Sequence, residues 1–504
     1  MPAMGRSISD SPPSSKPQNT LYLYIHSSMK PFLIALLLVL GLQTQAQLFS
    51  RLNISLLSLT DPDTSSSKSP VGNRYSGCWG WFQAAKNKEY AISGGKDGTY
   101  FIDVTNPVNP VVCDFVEGKK GCTWREMKTY QHYCYIISDD DIPNKFQIVD
   151  LQYLPDSVHV IHSGTSYFER GHTIWIDNNR MYIGMTTFQT GSSPMSIWSL
   201  ATPTAPVLLK RLESDVPSTV INQVHDMFVR NDTIYASAGW QGLFVFKFDA
   251  QNDTLIPLGG YNGYNGSGYN HSSSLTNNGK YLVFCDEVPE SLPMHVIDVQ
   301  NLGNMQPLST FHPAPNTTPH NPYVIGNNFA VVSCYQDGLY IFDISNPSNV
   351  LLAGYFDTYP QGGVNTGVYP NGAYAGNWGA YPYLPSGKIV ANDMQNGVFM
   401  LDATKAYTTN VKSQVPLVGI SSTTTEEFRV VVYPNPASTF LSIHLNQGAV
   451  SEIDVLSMLG EQVYHQSTNE SQLTLDVRNW SSGTYFLKVT NANGTYNRKL
   501  IVTH

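Results

Sequence analysis

Short runs in which apolar and polar residues alternate recur along most of the chain, between turns rich in Gly, Pro, Asn and Asp. Seven of these runs correspond to one another: EYAISGG, YCYIISDD, MYIGMTT, TIYASAG, YLVFCDE, FAVVSCY and KIVANDM. Each is followed by a second set of corresponding runs: TYFIDV, FQIVDL, MSIWSL, LFVFKF, HVIDVQ, LYIFDI and VFMLDA. Alternation with a period of two over short runs predicts β-strands rather than helices.

The runs belong to a longer repeat. A further run follows a Pro-rich turn, as in NPVNPVVCDFV and NPSNVLLAGYF, and another precedes each set, so that one unit holds four strands and spans about 50 residues. Seven such units predict an all-β fold, a seven-bladed β-propeller over residues 47–410.

The seventh unit lacks a clear fourth strand after VFMLDA. A closed ring leaves no sheet edge unpaired, so another segment must supply this strand. The candidate is RLNISLLSLT, residues 51–60. We expect it to pair as the outer strand of the last blade.

One position of the repeat is marked by His or Trp. The steps are 53 residues from His172 to His225, 46 to His271 and 49 to His320. The same phase extends to Trp residues on both sides. Since the first strand of a propeller blade lines the channel, we expect a ring at one mouth of the channel, formed by Trp79, Trp124, His172, His225, His271, His320 and Trp378.

The rest of the composition narrows the class of protein. Only 13% of the 504 residues are charged and the net charge is −9, which excludes a nucleic-acid binder of the usual basic kind. Six cysteines are too few for a disulfide scaffold. Cys78 and Cys122 each precede a Trp at corresponding positions, and either a bridge between them or buried free thiols fit that placement.

The N-terminal part contains a strongly apolar segment. MKPFLIALLLVLGLQTQA, residues 29–46, has a Lys at its start, about a dozen apolar residues and a small-residue end. This pattern predicts a signal peptide cleaved after Ala46, with residues 1–28 a disordered upstream extension. The alternative is an uncleaved membrane anchor.

The C-terminal part predicts a separate small domain. Residues 411–427 form a polar linker, and about seven alternating strands follow in residues 428–504, which predicts a β-sandwich. This segment resembles the type A C-terminal sorting domain of the type IX secretion system of Bacteroidetes. The resemblance is carried by Tyr433, Pro434, Asn435, Pro436, Gly460, Gly483, Tyr485, Lys499 and Leu500. It implies that the type IX secretion machinery is a partner and that the protein is secreted or held at the outer surface.

The repeat region also resembles a family, the choice-of-anchor B proteins with LVIVD-type repeats. The carrying segments include CWGW, EYAISGGKDGTYFIDVTNPVNP, FQIVDLQYLP, GLYIFDISNPSN and WGAYPYLPSGKIVANDMQNGVFML, from about residue 50 to 405. The third and fourth units depart from the pattern, because SIWSLA and VFKFDA lack its VD ending. The resemblance implies a fold and a location rather than a reaction.

Four histidines around one channel could hold a metal. Neutral imidazole is a common ligand, and three or four such groups with a water suit one divalent transition metal ion, Zn²⁺ or Mn²⁺. Neighbouring groups that could act as supporting partners or as a base are Glu126, Asp226 and Asn321. This arrangement resembles the axial metal site of some propeller lyases, such as oligogalacturonate lyases. The alternative is a polar ring whose histidines only bond to neighbouring strands.

The sequence therefore predicts two alternative functions. The first is a binding or interaction module, a monomer that takes a glycan or peptide on Trp79, Trp124 and Trp378. The second is a metal-dependent extracellular lyase or hydrolase at the histidine ring. The acidic turns at Asp139, Asp140 and Asp141 and at Asp286 and Glu287 are expected to be solvated rather than to bind Ca²⁺.

Overall fold

The computed structural model describes residues 49–63, 65–67, 69, 71–122, 124–314, 317–360, 374–409, 413–414, 430–433, 437–445, 451–457, 461–470, 472–491 and 494–504. The chain divides into two compact units, Met1–Leu417 and Val418–His504. The predicted upstream extension, the signal peptide and most of the linker lie outside the described residues. The fold is all-β, with very little helix in the part that is described.

The described part of the first unit consists of small antiparallel sheets whose strands follow one another in the chain. Two N-terminal strands, β1 (Arg51–Leu52) and β2 (Ser55–Thr60), join later sheets. Sheet 1 contains β3 (Tyr75–Gln83), β4 (Lys88–Gly95), β5 (Gly98–Asp103) and β6 (Val111–Glu117). Sheet 2 contains β7 (Arg125–Tyr130), β8 (Tyr133–Ser138), β9 (Phe146–Asp150) and β10 (His159–Gly164).

The next three sheets repeat this plan. Sheet 3 contains β11 (Ile174–Asp177), β12 (Arg180–Phe188), β13 (Gly191–Ser199) and β14 (Val207–Arg211). Sheet 4 contains β15 (Asp226–Arg230), β16 (Thr233–Ser237), β17 (Leu243–Asp249) and β18 (Thr254–Tyr261). Sheet 5 contains β19 (Asn270–Leu275), β20 (Tyr281–Asp286), β21 (Met294–Asp298) and β22 (Gln306–Phe311).

The last two sheets take up the N-terminal strands. Sheet 6 contains β23 (Asn321–Ile325), β24 (Phe329–Ser333), β25 (Leu339–Asp343) and β26 (Leu351–Phe356), with β1 beyond β26. Sheet 7 contains β27 (Asn377–Tyr381), β28 (Ile389–Asp393), β29 (Gly397–Asp402) and then β2. The remaining elements of this unit are 3₁₀ turns at Leu212–Ser214 and Leu302–Asn304, helix α1 (Thr404–Thr408) and β30 (Ser413–Gln414), which also pairs with β26.

Burial follows the position of a strand in its sheet. The third strand β9 is buried along its whole length, whereas the fourth strands β6 and β10 leave most of their residues half-buried or exposed. An inner strand that is buried on both faces must be covered by a sheet on each side. Each neighbouring pair of sheets shares an apolar cluster, and this includes sheets 7 and 1, where Met400 and Ile102 belong to one cluster. The sheets are therefore consistent with propeller blades.

The first strands of the seven sheets contact one another in a closed cycle: β3, β7, β11, β15, β19, β23, β27 and again β3. The predicted closing strand is confirmed in its larger part, because Ser55 pairs with Asp402 and Thr60 with Val398. The first residues of the predicted segment behave differently: Arg51 and Leu52 pair with β26 of sheet 6.

The second unit contains seven described strands in two sheets. They are β31 (Val430–Tyr433), β32 (Phe440–Leu445), β33 (Ser451–Ser457), β34 (Gln462–Thr468), β35 (Gln472–Asp476), β36 (Gly483–Asn491) and β37 (Gly494–Val502). One sheet has the order β31-β32-β35 and the other β34-β33-β36-β37. A single apolar cluster contains residues of both sheets, among them Ile443 and Leu487.

The six cysteines lie in the described part of the first unit, and all of them are free thiols. Cys78 and Cys122 are both buried, so the alternative of buried free thiols applies and the bridge between them is absent. Among the described residues, no helix has both the length and the apolar character that a membrane span requires.

His295 in β21 makes the first unit sensitive to acid. Its ring stacks on Phe284 with centroids 4.6 Å apart, and Nε2 has no hydrogen-bond partner among the described residues. Burial, with a smaller effect of His312, lowers its pKa from 6.5 to about 4. The stability linked to this group is fully present above pH 6.5, because neither state binds the proton there, and it falls as the pH drops toward 4.

We therefore expect His295→Phe to stabilise the unit by about 2 kcal/mol at pH 5 and by much less at pH 8. Phenylalanine keeps the stack on Phe284 and takes no proton in the unfolded chain. The measurement is the urea midpoint of both proteins at each pH, with the exposed His159→Phe as a control. An identical pH dependence in His295→Phe and the unchanged protein would contradict the assignment.

Candidate functional site

A small cavity opens where the first strands of sheets 2 to 7 begin. The space that water could occupy in it is about 40 Å³, enough for a few molecules. The lining includes all four marked histidines, both Trp124 and Trp378, and the three predicted supporting residues Glu126, Asp226 and Asn321. The repeat thus brings these residues together because each lies one or two residues before a first strand or within its first two residues.

The rings around the cavity form a continuous arc. Centroid distances between successive rings are 4.2 Å for His172–His225, 4.2 Å for His225–His271 and 4.3 Å for His271–His320. The arc continues from His320 to Trp378 at 4.2 Å. Trp378 then stacks on Trp124 at 4.4 Å.

Three groups in this arc and beside it converge as potential metal ligands: His271, Glu287 and His320. All three are buried, with exposed fractions of 3%, 6% and 1%. His271 Nε2 lies 3.6 Å from Glu287 Oε2, and one ligand atom from each of the three residues falls within 4.8 Å of the others. Burial raises the pKa of Glu287 to about 7, while its hydrogen bond from Tyr335 acts in the opposite direction.

The hydrogen bonds fix which nitrogen of each ligand candidate is free. His320 Nδ1 lies 2.6 Å from the Trp378 carbonyl oxygen and must donate to it, which leaves Nε2 unprotonated. The Ser272 hydroxyl donates to the His320 carbonyl oxygen, so His271 Nδ1 donates to Ser272 Oγ at 3.1 Å. Because the proton of the neutral His271 ring is on Nδ1, its Nε2 carries a free lone pair. Burial lowers the pKa of His320 to about 3 and keeps that of His271 well below its usual value.

His172 and His225 form a different arrangement. His172 Nδ1 bonds to Asp139, and its Nε2 lies 2.7 Å from His225 Nε2. His225 Nδ1 donates to the His271 carbonyl oxygen at 3.3 Å, so its Nε2 accepts and His172 Nε2 donates. Burial alone would lower the pKa of His172, but the bond to Asp139 and the charge of Asp139 raise it. The pKa of His172 therefore lies above its usual value, and both of these Nε2 atoms are engaged in their mutual hydrogen bond.

The predicted supporting carboxylates Asp226 and Glu126 line the same cavity. Burial, and then the negative charge of Glu126, raise the pKa of Asp226 to about 7. Glu126 lies 3.5 Å from Lys128 and accepts a long bond of 3.5 Å from Trp378 Nε1. Asn321 Nδ2 donates to the Trp378 carbonyl oxygen at 3.2 Å, beside the bond from His320.

Trp79 is absent from the rings that surround the cavity. It is the fifth residue of β3, whereas the other marked residues lie at the beginnings of their strands. Its ring belongs to a deeper layer, 4.8 Å from Tyr381 and 6.4 Å from Trp175, with the Lys128 ammonium 4.1 Å from its centroid. The expected ring therefore forms without Trp79.

Three residues of the site were missed at the level of sequence. Asp139 and Glu287, expected in solvated acidic turns, directly follow β8 and β20, which are the second strands of their sheets. Both carboxylates turn into the cavity region instead. Trp240 occupies the corresponding turn after β16, and 64% of it is exposed. All three residues follow the second strand of their repeat unit. This shared position in the sequence could have indicated that they lie near the histidines.

The residues of the predicted sorting motif are only partly described. Tyr433 ends β31, Lys499 lies in β37, and Pro434, Asn435 and Pro436 fall outside the described residues. Gly483 begins β36. Tyr485 is 7% exposed in the apolar cluster of the tail and donates to the Ser481 carbonyl oxygen at 2.8 Å.

Residues 431–503 match the family model of the secretion system C-terminal sorting domain. The protein is exported by type IX secretion. It reaches the cell surface or the extracellular medium, as the sequence predicts. The match covers the tail only, so it carries no statement about the histidine site.

Known proteins of similar sequence or structure match this chain over a short segment or at low identity, and they do not indicate a reaction for the cavity. Ulvan lyase NLR42 of Nonlabens ulvanivorans has a similar tail and is 41% identical over 75 residues, which is 14% of this chain and 14% of that lyase. PorZ, a surface component of the type IX secretion system of Porphyromonas gingivalis, is 12% identical with a TM-score of 0.40 over 88% of this chain and 61% of PorZ. A putative 6-phosphogluconolactonase of Bacteroides uniformis is 11% identical with a TM-score of 0.44, over 76% of this chain and 95% of that one.

Proposed function

We propose that this exported protein is a seven-bladed β-propeller whose central cavity binds one divalent transition metal ion, and that it acts outside the cell as a metal-dependent lyase or hydrolase. The closed cycle of first strands and the apolar clusters between successive sheets support the propeller. The resemblance to LVIVD-type choice-of-anchor B proteins agrees with it. The two sheets around one apolar cluster support a small β-sandwich in the tail.

The observation that carries the metal site is the convergence of His271, Glu287 and His320. Two ligand atoms on a tetrahedral ion, each about 2.1 Å from it, lie about 3.4 Å apart. The distance of 3.6 Å between His271 Nε2 and Glu287 Oε2 is close to that value. Both imidazoles present an unprotonated Nε2, and a buried carboxylate supplies the third ligand, which is a donor set that suits Zn²⁺ or Mn²⁺.

Two histidines and one carboxylate leave a coordination position for water or substrate, as catalytic sites require. A divalent ion held there would polarise a substrate oxygen and lower the pKa of a coordinated water. The chain's own groups then complete the site. His172, whose pKa is raised by its bond to Asp139, can donate a proton to the substrate, and Asp226 and Glu126 are the candidate bases on the same cavity.

The second candidate is a binding module without catalysis. The aromatic arc favours it, because Trp378 and Trp124 continue the histidine rings in one stacked surface. Trp378 is only 7% exposed, however, and most of its indole is covered. This limits the area that it and Trp124 can offer to a ligand, compared with the exposed Trp240.

Elemental analysis of the full chain, purified without chelator or affinity tag, tests the metal site. We expect about one equivalent of Zn, Mn or Fe, because the three buried ligands form one centre. Glu287→Gln keeps the size of the side chain but removes its charge, and it should lower the metal content. A metal-free chain that also fails to gain thermal stability on addition of Zn²⁺ or Mn²⁺ would reject the metal site and leave the binding module.

A further inference from the structure

Trp240 is the most exposed large aromatic side chain in the described part of the chain, with 64% of its surface accessible. It sits in the turn between β16 and β17. An exposed indole offers a large apolar face with one polar N–H group, and Trp is enriched among the residues that dominate binding energies. Its position beside the cavity makes it relevant to the ligand.

The turn that carries Trp240 is rigidly held. Gly239 and Gly242 flank it with φ values of +60° and +89°, which residues with a Cβ rarely adopt. The Ala238 amide donates to the Gly242 carbonyl oxygen at 2.9 Å, and the Gly242 amide donates to Gly239 at 3.0 Å. The exposure of Trp240 is therefore part of a built structure, and the indole is presented without a large loss of entropy on binding.

Neighbouring loops lock this turn on both sides. The Gln241 side chain accepts from the Asn222 amide at 2.9 Å and donates to the Val220 carbonyl oxygen at 2.7 Å. A Cβ at Gly239 would lie 2.6 Å from the Tyr269 ring, which shows how closely the loop before β19 approaches. The Trp240 and Tyr269 rings lie edge to face with centroids 5.6 Å apart.

The segments that meet at Trp240 are polar and carry no charged side chain, and the charged residue beside them is the acidic Glu287, whose backbone amide donates to the Tyr269 carbonyl oxygen at 3.0 Å. The three segments that meet there are 217–224 (PSTVINQV), 238–242 (AGWQG) and 262–269 (NGYNGSGY), and none of them contains Asp, Glu, Lys, Arg or His. Amide and hydroxyl groups beside an exposed indole match a ligand that has C–H groups on one face and hydroxyls around its edge. A charged peptide or an anionic polymer would find no opposite charge in these segments.

The surface continues into the cavity without a gap. Tyr269 lies edge to face with His225, with centroids 5.3 Å apart, and His225 is 4.2 Å from His271. A ligand on Trp240 that follows Tyr269 therefore reaches the histidine arc. The binding surface therefore runs from the exposed Trp240 indole to the proposed metal ligands.

We propose that Trp240 and Tyr269 form a binding subsite for a neutral saccharide, with a sugar ring stacked on the Trp240 indole and its hydroxyls bonded by the exposed side-chain amide of Asn222. The binding surface stands without the metal. Only the further step, that a neutral polysaccharide is the substrate of the cavity, rests on the proposed function.

Affinity electrophoresis of the full chain tests the subsite. The gels contain neutral polysaccharides (laminarin, xylan, galactomannan and starch) or anionic ones (alginate and ulvan). We expect retardation by at least one neutral polysaccharide, and we expect Trp240→Ala to lower the affinity about tenfold. Trp240→Phe keeps an aromatic face and should recover most of the binding.

The matched control is Tyr153→Ala. Tyr153 is 41% exposed but lies between β9 and β10, at the ends of the strands opposite to the Trp240 turn. This variant should bind as the unchanged protein does. No retardation by any neutral polysaccharide, binding only to the anionic ones, or equal binding by Trp240→Ala would each overturn the proposal.

Two further measurements separate this proposal from the metal site. Binding repeated in EDTA should persist, and Trp240→Ala should contain as much metal as the unchanged protein. A chain without metal that still binds the polysaccharide through Trp240 supports the subsite and rejects the metal. A chain that contains metal, and whose polysaccharide binding is unchanged in Trp240→Ala, supports the metal site and rejects the subsite. A competition experiment adds an excess of casein peptides to the gel. If the peptides abolish the retardation by the polysaccharide, the subsite binds peptide and the saccharide proposal is rejected.

Discussion

Replacing His271 and His320 together by alanine should lower the affinity for Zn²⁺ or Mn²⁺ by at least about a thousandfold, because only Glu287 of the three proposed ligands remains. Metal-dependent activity should disappear with the metal. The measurement is a competition titration against a coloured chelator, followed by elemental analysis. Both histidines are buried, with 3% and 1% of their surfaces exposed, so circular dichroism and thermal unfolding must accompany the titration.

Two other substitutions sharpen this experiment. Glu287→Gln should weaken metal binding in a chain that still folds, since the amide can keep the contact with Tyr335. His172→Ala should leave the metal content nearly unchanged, because the Nε2 atoms of His172 and His225 bond to each other. If His172→Ala loses the metal as completely as the double variant, the ion is held by the wider histidine ring and the three-residue site is wrong.

Removing the apolar character of the closing strand should destabilise the first unit strongly. Leu56 packs in the cluster between sheets 6 and 7, and Leu57 packs in the cluster between sheets 7 and 1. We expect Leu56→Asp/Leu57→Asp to cost about 4 kcal/mol or more, because each change removes apolar contacts and puts a charge against a core. Thermal and urea unfolding of the full chain measure the loss.

The same strand provides the control. Leu59 pairs with Phe399 in the backbone register, but its side chain is 41% exposed. Leu59→Asp should change the stability by less than about 1 kcal/mol. Equal effects of changing the half-buried Leu56 and Leu57 and of Leu59→Asp would mean that β2 closes the ring by backbone bonds alone and that its side chains contribute little.

Much of the fold was accessible from the sequence because its signals are local and repeated. Period-two alternation predicts the strands, and the recurrence of similar runs aligns them in sheets without knowledge of long-range contacts. Even β2, which pairs with a strand far along the chain, could be inferred because sheet 7 lacked one strand. The division between Leu52 and Ser55, which sends β1 to sheet 6, has no such signal.

The site was accessible only as far as it follows the repeat. The four histidines share one position, and the cavity collects them. Trp79 shares their context in sequence but lies further along β3, where a shift in register between Tyr75 and Cys78 disturbs the count. Glu287 belongs to a different position of the unit, and its orientation depends on burial and on Tyr335, which no spacing in the sequence reveals.

The pairing of β2 with β29 has a consequence for the time at which the protein becomes complete. Asp402 is made about 350 residues after Ser55, which at the usual rates of synthesis is some tens of seconds later. Closing a loop of that length costs about 5 kcal/mol of chain entropy, so this contact forms only when the intervening sheets have already ordered most of the chain. Strand β2 is made before β3 to β29 and is thus among the last strands to find its partner, and the sheets made in between must stay soluble while one sheet edge is still unpaired.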